Sequence, residues 1–468
     1  MRLKLTIPAL LASSLIWAQQ ADSPVSLTLD DCLRVALSDN PTVRVADMEI
    51  NRTDYSKIET ISQLLPQVSF TGTYSRTLAK QVMYMNMDGF GGMGGDEDGS
   101  GDDAPASRAS GGGGGIKVGL DNSYQVGFSA SLPLIAPQLW ASLKLSDNQI
   151  LQAVEKARAS RLELVNQVKN AYFTLLLAED SKKVIQESYD MAALTHEIYT
   201  KQHAAGAASD YDVLRTSVAM KNVEPDLMQA DIAIKQARLQ LLLLMGADAS
   251  TRFEVSDNLR NYEKTMYADV LDLDPDYSSN SSLVLNSLQS EQLDQSLKAE
   301  RASLYPTLSA SFNYMWSSMS NGTPFKNFRW TPFSSAGLTL NVPIFTGGSR
   351  YSRIKQANIQ KEQIGWQREN LERSVAMQVD LAVDNIKVNV EQIASCSESV
   401  GQAERAHDIM EKSFGIGAAS YLDLRDSELA LTQSRLAYYQ AIYNYLVAGA
   451  DLELLLGNAP IENYIPAK

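Results

Sequence analysis

The 468-residue sequence holds two cysteines, Cys32 and Cys396, too few for a disulfide framework. Its three histidines, His196, His203 and His407, do not supply a His-rich metal centre. Basic residues are outnumbered, 41 Lys and Arg against 55 Asp and Glu, for a formal net charge of −14. Nucleic-acid partners need the opposite balance and are excluded as the main ligand. Past the N-terminus, no apolar stretch approaches the roughly 20 residues of a membrane-spanning helix; the nearest is Leu239 to Met245. No Ser–His–Asp or Cys–His arrangement emerges from the spacing, so the chain reads as a protein that is not an enzyme and carries no cofactor or metal. Glycine is concentrated in one place: 12 of the 27 fall between Gly89 and Gly115.

What is present begins with a leader. Arg2 and Lys4 precede an apolar run from Leu5 to Trp17, and Ala18 is a plausible cleavage point. This is the pattern of a secretory signal peptide, residues 1–18, and it implies export. Cys32 lies too far from the cut, in the wrong context for a lipid anchor.

Four segments alternate with period two. Val68, Phe70, Gly72 and Tyr74 interleave with Ser, Thr and Gln; so do Tyr124, Val126, Phe128, Ala130 and Leu132. Leu308, Ala310, Phe312, Tyr314 and Trp316 form the third set, and Ala336, Leu338, Leu340 and Val342 the fourth. A soluble sandwich also alternates, but its wet face normally carries Lys, Glu or Arg. Here the polar face is small and almost uncharged, which suits a transmembrane barrel with lipid outside and water within. Trp316, Phe328, Trp330 and Phe333 would form an aromatic girdle. A proline stands at one end of each segment, Pro66, Pro133, Pro306 and Pro343, and marks four helix–strand junctions. Small barrels need about eight strands, so four cannot close alone and other copies must pair the edges; three copies supply twelve strands.

Between Pro137 and Gly206 there is neither proline nor glycine, and Leu162, Val165, Val168, Tyr172 and Leu175 recur at helical spacing. Leu371, Val375, Val379, Ala382, Ile386, Val390 and Ile393 do the same between Gly348 and Gly401. A helix of nearly 70 residues is about 100 Å long. Shorter helical stretches run roughly over 41–65, 211–245, 281–304 and 421–456, and two of them end to end match one long helix. The chain is an internal duplication. Pro133 aligns with Pro343 at an offset of 210; Gly206-Ala-Ala-Ser209 aligns with Gly417-Ala-Ala-Ser420 at 211, as do Asp212 with Asp423 and Gly246 with Gly457. The first half carries about 30 extra residues between its strands, where the glycines lie. Residues 247–278 lack periodicity and read as a linker.

Gly89-Phe-Gly91-Gly-Met-Gly94 satisfies GxGxxG, but acids and more glycines follow it in place of a helix. Asp96, Asp98 and Gly101 begin like a calcium loop, and Ser107 replaces its closing Glu.

At this point the chain resembles the TolC family of outer-membrane efflux and secretion channels, across essentially its whole mature length. The resemblance is carried by Leu27-Thr-Leu-Asp-Asp-Cys-Leu-Arg-Val-Ala-Leu-Ser-Asp-Asn-Pro41, by Phe414-Gly-Ile-Gly417-Ala-Ala-Ser-Tyr-Leu-Asp423-Leu-Arg-Asp426, by Tyr443-Asn-Tyr-Leu446 and by Leu456-Gly457. It implies an α+β membrane protein: a homotrimer whose twelve-stranded barrel lies in the outer membrane and whose long helices form a periplasmic helical barrel. The partners implied are a periplasmic adaptor, an inner-membrane transporter that supplies the energy, and outer-membrane lipid. A type I secretion duct is the alternative within the family; an elongated coiled-coil adhesin is the alternative outside it.

On this reading residues 19–468 are one protomer of two repeats, 19–250 and 275–457. Strands fall near 66–79, 120–133, 306–319 and 333–343, and helical hairpins at 137–246 and 345–457. Segments 247–278 and 458–468 are equatorial, and 80–119 is a Gly/Asp-rich extracellular loop. The resemblance makes Gly206, Ser209, Asp212, Gly417 and Ser420 adaptor-contacting tips, and Asp423 and Asp426 stacked acidic rings at a pore gate, unless Arg425 satisfies one of those carboxylates. Each tip residue is equally at home as an ordinary helix cap. Phe414 and Ala419 stand where the family often has a tyrosine and a basic residue, so the chain departs from the family at positions that make its usual gate-locking polar contacts.

Overall fold

The computed structural model describes residues 25–83, 116–263, 276–326, 329–459 and 461. The leader read at 1–18, most of the Gly/Asp-rich loop with its GxGxxG and acidic run, Phe328, and parts of both equatorial segments lie outside them.

The elements in chain order are β1 (Val25–Leu27), α1 (Leu29–Asp39), α2 (Pro41–Ser62), β2 (Gln67–Arg76), β3 (Gln81–Met83), β4 (Ile116–Val118), β5 (Asn122–Ile135), α3 (Pro137–Ala204), α4 (Asp210–Met245), β6 (Phe253–Val255), α5 (Leu259–Glu263), α6 (Ser281–Ala302), β7 (Thr307–Ser320), β8 (Thr331–Asn341), α7 (Ser349–Gly415) and α8 (Tyr421–Leu456). The chain divides into two compact units. One holds the sheet strands with the adjoining helix ends, residues 56–145 and 295–357; the other holds the remainder.

In the sheet unit the strand order is β2-β5-β7-β8, every neighbour antiparallel. The register lines up Val68, Ala130, Phe312 and Ala336 across all four strands. Phe70, Phe128 and Tyr314 share that face, and so do Leu132, Ala310 and Leu338. Partners in an antiparallel ladder point the same way, so the aliphatic and aromatic positions make one continuous face. Ser69, Ser129, Asn313 and Ser335 line the other, where the hydroxyls of Ser69 and Ser129 lie 2.8 Å apart. The period-two reading is therefore right in register as well as in kind.

Two details differ from expectation. Phe333 pairs with Met315 and sits on the polar face, away from Trp316. It cannot share a girdle with that tryptophan, because successive residues of a strand face opposite sides. Pro133 does not end its strand: β5 continues to Ile135 through an irregularity between Pro133 and Ile135. Beyond Ser131, β5 has no β2 partner, so the missing N–H costs no ladder bond on that side. Pro66 and Pro306 each immediately precede a strand, and Pro343 lies between β8 and α7. The ends of the segment read as a loop also pair, β3 with β4.

In the helical unit, the expected apolar stripe of α3 is the core: Leu162, Val165, Val168, Tyr172 and Leu175 are all buried. At roughly 1.5–3 kcal/mol per fully buried large side chain, packing rather than helix propensity holds this stretch. α3 runs antiparallel to α8 along an ordered seam. Arg158 donates to the Gly457 carbonyl (3.3 Å), Asn166 to Asp451 (2.7 Å) and Arg435 to Glu187 (2.6 Å); Lys169 pairs with Glu453, and the Thr174 and Tyr443 hydroxyls meet at 3.2 Å. The segment read as a linker is partly built into this core. Phe253 of β6 and Leu259 of α5 are buried, and β6 pairs in parallel with β1.

The short helices stack end to end through duplicated joints. Asn40 caps α2, accepting from the Thr42 N–H (2.7 Å), and donates to the Leu244 carbonyl at the end of α4 (2.7 Å). Asn280 repeats both bonds, accepting from Ser282 (3.0 Å) and donating to Leu455 of α8 (2.7 Å). Gly246 and Gly457 end α4 and α8 in the left-handed region, at φ 69° and 71°. A side chain on Gly457 would meet the Ser279 carbonyl oxygen at 2.3 Å. One on Gly206, at φ 75°, would meet nothing within 4 Å. Gly457→Ala is accordingly expected to cost on the order of 3 kcal/mol, strain plus overlap, and Gly206→Ala about 1 kcal/mol from strain alone. Denaturant unfolding followed by circular dichroism compares them; equal losses would refute the steric account.

Candidate functional site

The two hairpin turns are copies of one design. In the first, the Gly206 N–H donates to the His203 carbonyl (2.9 Å) and the Ala207 N–H reaches back to Gln202 (2.8 Å). In the second, Gly417 donates to Phe414 (3.0 Å) and Ala418 to Ser413 (2.8 Å). Both glycines take φ 75°, which satisfies the last carbonyls of a helix without a Cβ penalty.

Ser209 and Ser420 then open α4 and α8 with reciprocal capping boxes. The Asp212 N–H donates to the Ser209 hydroxyl (3.2 Å), whose own O–H donates to the Asp212 carboxylate (2.7 Å). Ser420 and Asp423 repeat this at 3.3 and 2.7 Å. The serine hydroxyl and N–H hold both aspartates below the usual carboxylate range. Both carboxylates are exposed; Asp423 is already engaged within its own turn, and Asp426 lies about one helical turn further on. Arg425 lies close enough to Tyr421 and Glu428 to act on both.

Around these caps lie side chains that sequence reasoning missed. The Arg215 guanidinium of α4 sits 4.4 Å over the ring of Tyr421 on α8 and 5.8 Å from that of Tyr211. Tyr199 of α3 packs edge-on to Tyr421 (5.7 Å) and tilted against Phe414 (6.3 Å). The two hairpins therefore meet near their turns through a cation–aromatic cluster. The signal was present in the repeat: at the 211-residue offset Arg215 corresponds to Asp426, and Tyr421 to Asp210. His196 and His407 do match at that offset, and each places Nδ1 against a hydroxyl of the return helix, Thr216 at 3.0 Å and Ser427 at 3.3 Å.

No group of three or more His, Cys, Asp or Glu among the described residues is arranged to hold a metal ion. In a groove of about 980 Å³ lined by α3 and α4, Lys182 pairs with Asp231 at 2.6 Å and Arg238 with Glu179 at 3.3 Å. No helix of the described residues is long and apolar enough to cross a membrane.

Glu428, one turn beyond Arg425, is the most perturbed acid near the turns. Burial pushes its carboxyl up to about 7; Arg425 opposes the shift and Glu411 adds to it. Because the folded pKa lies above the unfolded one, the folded state binds the extra proton. Stability falls as pH rises from about 4.5 to about 7. Glu428→Gln is expected to flatten that window and to raise stability at pH 8, on the order of 2 kcal/mol after discounting for residual solvent contact. Thermal unfolding at pH 5, 6, 7 and 8 measures it; parallel pH profiles for the two proteins would reject the buried-acid reading.

The sequence profile of the family described as "Outer membrane efflux protein" matches residues 32–247 and 278–458. The cobalt-zinc-cadmium resistance protein CzcC of Cupriavidus metallidurans is 27% identical over 296 residues, 62% of this chain and 67% of its own. Outer membrane protein TolC of Vibrio cholerae is 23% identical over 336 residues, 71% of this chain and 76% of its own. The Campylobacter jejuni CmeC outer membrane channel superposes with a TM-score of 0.71 at 17% identity, covering 97% of this chain and 94% of that one, and so shares the fold. With both repeats matched by one profile, the chain belongs to the outer membrane efflux protein family.

Proposed function

We propose that three copies of this chain form the passive exit duct of a tripartite efflux pump, docked by the hairpin turns to a periplasmic adaptor and, through it, to an inner-membrane transporter. The observation that carries this is the four-stranded sheet. One face is apolar from strand to strand, the other is polar and uncharged, and β2 and β8 are open edges. In lipid every backbone group needs a partner, so such a sheet persists only when other copies close it. A second feature agrees. On α4 the exposed residues Tyr211, Leu214, Val218, Met228, Ile232 and Leu239 follow steps of three, four, ten, four and seven residues, an apolar stripe that a neighbouring helix would cover.

The turns supply the docking ends. Gly206, Ser209 and Asp212, with Gly417 and Ser420, fix two identical backbone shapes, and exposed Ile416 and Leu422 give the second an apolar surface. Asp426, threefold repeated around a constriction, is the gate carboxylate; Asp423 adds its charge while holding its own cap. The relatives include proteins named for metal resistance and for antibiotic efflux.

Two measurements test the reading. The mature protein is expected to run as a heat-modifiable trimer in detergent and to conduct in planar bilayers; recovery as a monomer in the soluble periplasmic fraction would sink it. Asp426→Ala with Asp423→Ala is expected to raise conductance or reduce cation preference. Unchanged bilayer currents would reject the gate.

A further inference from the structure

We propose that the loop end of the apolar sheet face binds the phosphate groups of outer-leaflet lipid; this rests on the barrel reading above. The four long strands contain a single charged residue, Arg76, the last of β2. Steps of two from Phe70 through Gly72 and Tyr74 put Arg76 on the apolar face, where it is exposed. A cation on the lipid face of a barrel is costly at the bilayer midplane and nearly free at its edge. Arg76 therefore marks the edge.

The level beneath it is aromatic. Tyr74 stacks on Tyr124 (4.9 Å), and Phe325 from the β7–β8 hairpin packs on both (5.2 and 5.5 Å). Their polar tips are tied down: the Tyr74 hydroxyl donates to Asn122 (2.9 Å), and the Phe325 N–H donates to the Tyr124 oxygen (2.7 Å). The exposed rings of Tyr74 and Phe325, laid over the buried Tyr124, have the arrangement of an interfacial belt, apolar surface toward acyl chains and anchored hydroxyl at headgroup depth.

The same hairpin carries two more exposed cations, Lys326 and Arg329. The Arg329 N–H is held by the Ser318 hydroxyl (3.0 Å), and Ser318 pairs with Tyr124 on the apolar face. The nearby acid, Asp121, is committed to Lys80 (3.0 Å) and to the Gly322 N–H (3.0 Å). The rest of the loop between β3 and β4 is acidic in sequence, with Asp88, Asp96, Glu97, Asp98, Asp102 and Asp103 against Arg108, so the argument rests on the three exposed cations Arg76, Lys326 and Arg329. Their place on the lipid side, above an aromatic belt, is complementary to an anionic headgroup layer.

The test uses the full-length oligomer in neutral detergent. Native mass spectrometry counts retained lipid after exposure to vesicles of phosphatidylcholine with or without bisphosphorylated lipid A. The wild type is expected to retain the bisphosphorylated lipid preferentially. Arg76→Gln with Lys326→Gln and Arg329→Gln should lower that retention about tenfold, and Arg76→Lys with Arg329→Lys should keep most of it. Equal retention by wild type and the glutamine variant would overturn the proposal, as would displacement by an equal concentration of inorganic phosphate. Heat-modifiable oligomer and bilayer conductance are measured on the same samples; if the wild type lacks both, it is the barrel reading that fails.

Discussion

Two buried asparagines hold the helical unit together. Asn40 and Asn280 each start one helix with the carboxamide oxygen and end another with the amide nitrogen. A helix terminus leaves four orphan groups, and burial of such an end is costly unless they are met. A single side chain here answers both ends at once, so α4 continues into α2 and α8 into α6. The adjoining glycines are what let the backbones approach: Gly246 lies against Asp39 and Asn40, Gly457 against Ser279. Without these joints the short helices could not match the 68 and 67 residues of α3 and α7.

The joints also explain how a chain with no long apolar run organises itself. Polar side chains specify position, and apolar stripes supply the energy. Along the α3–α8 seam, pairs such as Asn166 with Asp451 and Lys169 with Glu453 sit beside buried Val165 and Val168. Partly exposed ion pairs add little stability, but they disfavour slipped registers. The burial is the driving term.

Much of this was legible in the sequence, for reasons that differ by element. The strand faces followed from a period of two: the register puts the apolar positions inside the strands on one face, with Val342 beyond the end of β8 and Phe333 on the polar side. The caps followed from Gly, Ser and Asp at fixed spacing. Elements made by distant pairing left no local signal: β1 joins β6 across more than 200 residues, Val25 to Phe253, and each is three residues long. Pro133 looked like a boundary because proline interrupts ladders, yet it is tolerated where β2 has already ended. The Arg215–Tyr421 contact was missed because alignment of the two repeats draws attention to what they share, and this contact is made of residues that they do not.

That asymmetry carries the remaining argument. The two turns keep the same hydrogen bonds to within about 0.1 Å, which is what backbone geometry demands of any tight helical hairpin. The side chains around them have diverged: His203 stands opposite Phe414, Asp210 opposite Tyr421 and Arg215 opposite Asp426. Shape is thus held constant while charge is redistributed between the hairpins. Cation and aromatic meet within the protomer, and a carboxylate at the Arg215-equivalent position is left exposed on the second return helix. A duplicated scaffold with one shared backbone and two unlike surfaces can present alternating contacts around a ring, which a chain with identical hairpins could not.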